Sequence, residues 1–177
     1  MSFDIRPSRV ADAPHLPAIE RSAGYLFRTI PDLAWLADGD DIPVERHLEW
    51  IAAGTSWVAE TDNYCLVGFL CAEVAGDVLH IWELSVDLDH QRQGIGQALI
   101  AEAVAFARRR RFASVTLTTF REVPWNEPAY QRMGFVTLGT DQLDERLTMI
   151  LGKEVASGLP PERRCAMRLL LVAGPDA

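Results

Sequence analysis

Apolar positions along this chain recur with a period of two in some stretches and with helical spacing in others. Residues 3–6 alternate and Pro7 ends the run, which predicts a short first strand. Asp12 reads as an N-cap with Pro14 in the first turn, and Leu16, Ile19 and Ala23 give the following helix an apolar stripe closed by Gly24. Pro43 opens a second helix with Val44, His47, Leu48 and Ile51 on one side and Gly54 at its end. Residues 56–60 and 64–74 read as strands joined by the turn Thr61-Asp62-Asn63, and Gly76-Asp77 forms a second hairpin turn. Later, residues 114–120 alternate cleanly and are β-branched. Residues 135–138 and 165–172 supply two more strands, and Leu143, Leu147, Ile150, Leu151 and Val155 mark a helix ended by Gly158-Leu159-Pro160-Pro161.

Between these lies the stretch that organises the rest. His80-Ile81-Trp82-Glu83-Leu84-Ser85-Val86 has the composition of a buried strand. Ile95, Leu99, Ala103 and Phe106 fall on one side of a helix, with Ile100, Val104 and Ala107 beside them. A polar turn with Gly94 and Gly96 connects the two. The first amides of a helix lack intrahelical partners and carry the positive end of its dipole, and glycine permits close approach of an anion. The amides from Gln91 through Arg92, Gln93, Gly94, Ile95 and Gly96 to Gln97 can therefore seat a diphosphate. Arg92 adds a positive charge. A structural turn with no ligand accounts for the glycines equally well.

The strand's apolar phase slips by one residue around Trp82 and Glu83. Leu79 and Ile81 share one face, whereas Leu84 and Val86 have the other parity. A β-bulge would cause the slip and free a backbone amide; a strand buried on both faces would also permit it. Two other phosphate motifs are excluded. The dinucleotide fingerprint needs glycine where Leu99 stands, and the nucleoside-triphosphate loop needs a lysine and hydroxyl absent after Gly96.

Gln91-x-x-Gly94-x-Gly96 after Glu-Leu-Ser-Val resembles the acetyl-CoA site of the GCN5-related N-acetyltransferases (GNAT). A second stretch, Asn126-x-x-Ala129-Tyr130-x-x-x-Gly134-Phe135, resembles the same family. Here Asn126 can cap a short helix with Pro128 in its first turn and Gly134 at its end. The resemblance implies a mixed α/β fold with a central twisted sheet of about seven strands flanked by helices. The fourth and fifth strands would splay into a cleft. It also implies that Leu84, Ser85 and Val86 hold the pantetheine arm of acetyl-CoA as cosubstrate, Gln91 to Gln97 its pyrophosphate, and Asn126 the pantetheine as well. The segment containing Tyr25 and Phe27 would border the acceptor, although core packing explains those rings as well.

Acetyl transfer to an amine needs a neutral nucleophile, a stabilised oxyanion and a protonated leaving thiolate. A freed amide near Leu84 suits the oxyanion. In the family the tyrosine protonates the thiolate, which assigns Tyr130, and a tyrosine's reference pKa of about 10 lies above that of a thiol. Glu83 is the candidate general base. A carboxylate is a poor direct base for an alkylamine of pKa ~10, so it would act through water. A substrate-binding or surface role for Glu83 is the alternative. Trp82, Phe120 and Trp125 join Tyr25 and Phe27 as candidate acceptor-lining residues, which suits an acceptor with some apolar bulk.

The bulk numbers narrow the partners. The 177 residues, 49% hydrophobic, suffice for a single domain spanning residues 1–177. A formal charge of -8 argues against a general nucleic-acid binder. No stretch is apolar enough to span a bilayer and the first residues lack a signal-peptide pattern, so a cytoplasmic protein without membrane attachment is expected. Cys65, Cys71 and Cys165 read as reduced thiols, and the four histidines have no metal-site spacing. The expected partner is an amine of a small molecule or peptide, and both a monomer and a homodimer are compatible. The competing functions are a non-catalytic acetyl-CoA sensor and an unrelated α/β binding domain.

Overall fold

In the computed structural model, which describes residues 2–171, seven strands form one open sheet in the order β1-β2-β3-β4-β5-β7-β6. These are β1 (Phe3–Pro7), β2 (Ser56–Thr61), β3 (Leu66–Ala75), β4 (Val78–Val86), β5 (Ser114–Phe120), β6 (Val136–Thr137) and β7 (Arg164–Leu170). The helices are α1 (Leu16–Gly24), α2 (Val44–Ala52), α3 (Ile95–Arg109), α4 (Glu127–Arg132) and α5 (Glu145–Ala156). The mixed α/β class is as expected, and β4 and β5 pair in parallel from Val78↔Ser114 to Ile81↔Leu117. A helix-bearing crossover between parallel strands explains why α3 separates them. No helix among the described residues is long and apolar enough to cross a membrane.

The chain divides into two compact units, residues 1–73 with 82–106, and residues 74–81 with 107–177. In the first, β1 and β2 pair antiparallel from Phe3↔Thr61 to Pro7↔Trp57. Leu16, Ile19, Trp50, Val58, Phe69 and Cys71 pack into one buried cluster. Each large apolar side chain so buried contributes about 1.5–3 kcal/mol over its exposed state. The buried face of α2 centres on His47 and Trp50 rather than on the expected Val44–His47–Leu48–Ile51 stripe. The indole and imidazole of this pair replace the aliphatic residues that periodicity favours, and their rings meet edge to face at 5.9 Å.

Asp12 is not the cap of α1. Residues Val10–His15 form a 3-10 turn, and Asp12 accepts hydrogen bonds from the Arg9 amide at 2.7 Å and from Arg6. The α-helix starts one turn later, with Pro17 in its first turn. Residues Tyr25–Thr29 and Pro31–Asp38 form two further 3-10 segments, which the sequence pattern missed because three residues per turn matches neither period.

In the second unit, β5 and β7 pair along their whole length, from Ser114↔Leu170 to Phe120↔Arg164. Leu138, Leu147, Ile150 and Ala166 form its buried cluster, with Leu143 and Leu151 packed against them. The sixth strand is only two residues long, shorter than expected, and Val172 of the expected last strand lies outside the described residues. His80 is buried, and its Nδ1 lies 3.0 Å from the Thr116 hydroxyl, which also accepts from Arg146. Burial, helped by the Arg146 charge and opposed by Asp144, pushes His80 down to about 3.

The unfolded chain therefore binds a proton at His80 that the native state refuses. This contribution to stability is complete above pH 6.5 and is lost as pH falls toward 3. Urea unfolding of the wild type should lose a few kcal/mol across that window, and His80→Phe should remove the proton-linked part of the loss. Parallel pH dependences in the two proteins would overturn this account.

Candidate active site

The chemistry-bearing residues of the first unit gather where β4 runs into α3. Leu79, His80 and Ile81 are all buried, so the first half of β4 is covered on both faces and its parity carries no information about a bulge. From Trp82 onward the strand becomes more open. Trp82 is 39% exposed and donates its indole N–H to Glu73 at 3.0 Å. Glu83 is half-buried and accepts the Ser85 hydroxyl at 2.8 Å. The hydroxyl of Ser85 is therefore engaged with Glu83.

After Val86 the chain turns through Leu88–His90. The Asp87 carboxylate accepts from the Asp89 amide, from the Ser22 hydroxyl at 2.7 Å and, at 2.8 Å, faces Nδ1 of His90. Gln91 then reaches back to donate its side-chain amide to the Val86 carbonyl at 3.1 Å. Arg92 has φ +57° and Gly94 has φ +85°. Two left-handed residues so close together bend the backbone sharply, the kind of turn whose amides can form an anion-binding concavity. The first intrahelical bond of this end of α3 runs from the Ala98 amide to the Gly94 carbonyl at 3.0 Å. The amides of Ile95, Gly96 and Gln97 precede it and belong to the set that a helix cannot satisfy internally. The side chains of Arg92, Gln93 and Gln97 are exposed, whereas Ile95 is buried and anchors the turn.

Two glycines set how close this turn lies to the sheet. A Cβ on Gly96 would touch Leu84 and Val86 at 3.8 Å, so the first turn of α3 lies directly over the end of β4. A Cβ on Gly68 of β3 would come within 3.1 Å of both the Ser85 carbonyl and Ile95, and within 3.4 Å of Leu99. Gly68 thus makes the space into which α3 settles.

The acceptor-side candidates of this unit are Tyr25 and Phe27. Tyr25 is 40% exposed, with the Arg28 guanidinium 4.7 Å above its ring; Phe27 is half-buried. Glu20 is the residue that pattern reading missed. Burial first, and the Glu83 carboxylate second, push it up to about 8, against the pull of the Ile42 amide. No short-range motif marks it, because the effect comes from a partner distant in sequence.

The second unit carries Phe120, Trp125, Asn126 and Tyr130. Asn126 precedes α4 but makes no side-chain cap bond, contrary to expectation; its carbonyl accepts from the Tyr130 amide at 3.0 Å. Its φ and ψ of -110° and -112° turn it away from the geometry a capping side chain needs. Tyr130 is 8% exposed and meets Phe135 edge-on at 5.7 Å. Gly134, with φ +91°, ends the helix. Phe120 is buried beneath the Arg164 guanidinium, 4.4 Å from its ring centre, and Trp125 is half-buried.

Residues 25–135 match the Acetyltransferase (GNAT) family. The chain belongs to that family. Rat N-acetyltransferase family 8 member 3 is 35% identical over 89 residues, 47% of this GNAT chain and 39% of the relative. Human N-acetyltransferase 8B is 31% identical over 130 residues, 70% of this chain and 56% of the relative. The chain thus spans well under two thirds of the length of these curated relatives. Among solved structures, a PaiA N-acetyltransferase from Thermoplasma acidophilum in complex with coenzyme A superposes with a TM-score of 0.69 at 16% identity, covering 97% of this chain and all of that one. The ribosomal-protein-S18-alanine N-acetyltransferase from Escherichia coli superposes with a TM-score of 0.66 at 17% identity, covering 99% of both chains. These superpositions establish that the GNAT chain has the GNAT fold.

Gly68→Ala should test the packing of α3. A methyl within 3.1 Å of a backbone carbonyl forces a shift, and overpacking of this kind costs about 1–3 kcal/mol. A lower thermal midpoint is expected in this GNAT variant; an unchanged midpoint would show that β3 and α3 are not held at this distance.

Proposed function

We propose that this chain transfers an acetyl group from acetyl-CoA to a primary amine of a small molecule or peptide. The observation that carries the reading is the turn from Gln91 to Gln97, with left-handed backbone at Arg92 and Gly94 and with Gly96 pressed to Leu84 and Val86. A concave run of main-chain amides at a helix start suits a pyrophosphate, and the adjoining strand end offers main-chain groups to a pantetheine arm. The coenzyme A named for the Thermoplasma structure supports the same choice of donor.

The transfer proceeds directly. The amine lone pair forms the N–C bond, the carbonyl pair moves to oxygen, and on collapse the C–S bond breaks. Leu84, Ser85 and Val86 supply the main-chain contacts to the donor, with the Leu84 amide assigned to the developing oxyanion. Glu83 accepts the amine proton, directly or through water. Tyr130 gives its phenolic proton to the departing thiolate, which needs charge neutralisation to leave. Asn126, whose side chain is not spent on capping α4, contacts the pantetheine. Tyr25, Phe27, Trp82, Phe120 and Trp125 remain the acceptor-side assignment. The acting unit is a single domain, cytoplasmic, with no nucleic acid or membrane among its partners.

Incubation with acetyl-CoA and a broad amine panel, followed by free thiol, tests the reading. Saturable stabilisation by acetyl-CoA without turnover on any amine would make the chain a sensor instead. Gly94→Val meets no neighbour within 4 Å but places a β-branched residue at φ +85°. The strain should unmake the turn and weaken acetyl-CoA binding about tenfold or more; unaltered affinity in a calorimetric titration would remove the cradle. Tyr130→Phe keeps the ring packing on Phe135 and deletes only the hydroxyl. Its kcat should fall about a hundredfold with little change in the KM for acetyl-CoA, and a wild-type kcat would end the acid assignment.

A further inference from the structure

On β3, Phe69 and Cys71 pack into one buried cluster with Leu16 and Ile19 of α1 and Trp50 of α2. A Cβ on Gly68 of the same strand would instead meet Ile95 and Leu99 of α3. Helices α1 and α2 therefore cover one face of β3, and α3 covers the other. Side chains alternate along a strand, so Glu73 stands on the face of Phe69 and Cys71. There its Oε2 accepts two hydrogen bonds. One comes from the indole N–H of Trp82 on β4 at 3.0 Å, the other from the Arg46 guanidinium of α2 at 2.9 Å. Arg46 is also bonded to Glu49, and it lies 4.5 Å from the ring centre of Trp50, which is buried. A solvent-exposed indole is thus tied, through one carboxylate and one stacked guanidinium, to the core of the first unit. Farther along β4, Leu84 and Val86 lie under the first turn of α3.

We infer that Trp82 is a stacking platform for the acceptor, that Glu73 is the positioning residue that holds it, and that the preferred acceptor is a primary amine carrying a planar apolar group. This rests on the reading of the chain as an amine acetyltransferase. Trp82 directly precedes Glu83, the assigned base, and stands two strand residues, ~7 Å, from the Leu84 amide assigned to the oxyanion. A group attached to the amine reaches the ring while the nitrogen reaches the carbonyl carbon.

The indole N–H is the ring's one polar group, and Glu73 takes it. The ring then meets a ligand with its π face and C–H edge, which suit a flat apolar group better than a hydroxyl or a short alkyl chain. The tie to Glu73 also restricts the ring before the acceptor arrives, so less freedom is lost when the two stack. Because the accepting oxygen is ionised and itself fixed by Arg46, the bond is firmer than one to a neutral acceptor.

Two amines that share one chain test the platform: propylamine, and the same chain ending in a phenyl ring. The wild type should favour the phenyl compound in kcat/KM by about fivefold or more. Glu73→Ala should lower that preference about threefold or more, with the loss in the KM for the phenyl compound rather than in kcat. Glu73→Gln keeps an oxygen that can accept the indole N–H and should restore most of the preference. A merely structural loss would depress both amines alike and leave their ratio unmoved. Independently, the indole N–H resonance lost in Trp82→Phe marks this ring among the five tryptophans. In Glu73→Ala it should move further than the other indole resonances and exchange faster with water. A resonance indifferent to Glu73→Ala removes the positioning role. Equal kcat/KM for the two amines in the wild type, or a preference that Glu73→Ala leaves intact, overturns the platform while acetyl transfer stands. Lack of turnover on every amine removes the catalytic reading itself and the platform with it.

Discussion

The contact on which the first unit depends is the close approach of the first turn of α3 to the end of β4. Gly96 brings that turn within van der Waals reach of Leu84 and Val86, and Gly68 clears the space beneath Ile95 and Leu99. Ile95, Leu99 and Ala103 are then buried. The apolar face of α3 thus supplies the energy, and the glycines supply the distance. The position of the amides from Gln91 to Gln97 follows from both, because the helix cannot settle onto the sheet without aiming its own start at the end of β4.

The side chains around this turn are mostly spent on the protein itself. Gln91 bonds the Val86 carbonyl, Ser85 bonds Glu83, and Asp87 gathers Ser22, Asp89 and His90. In the proposed reading the donor meets main chain, with the exposed Arg92 and Gln97 side chains beside it. A grip of that kind depends on backbone shape rather than on side-chain identity, so Gly94, at φ +85°, constrains the turn more than its exposed neighbours do.

Much of the fold was legible in the residues because it rests on periodicity. The face of α3, the alternating β5 and the glycine turn all read directly from spacing, and Ile100, Val104 and Ala107 are buried as expected. The start of α1 did not read this way, because Asp12 answers Arg6 and the Arg9 amide instead of capping the helix. The paired 3-10 segments over residues 25–38 were invisible because their turns follow neither template. Of the candidate site, Gly94 and Gly134 were readable as turn and helix-end residues, and both take positive φ, whereas Asn126 does not make the cap its spacing suggests. Glu20 was not readable, because its significance lies in Glu83, some sixty positions away in sequence.

One hydroxyl deserves a mechanical reading. Ser22 holds Asp87 and the Leu88 amide at once, and the segment bearing Tyr25 and Phe27 begins three residues after it. A single serine oxygen thus ties the end of α1, just ahead of that segment, to the bend that precedes Gln91.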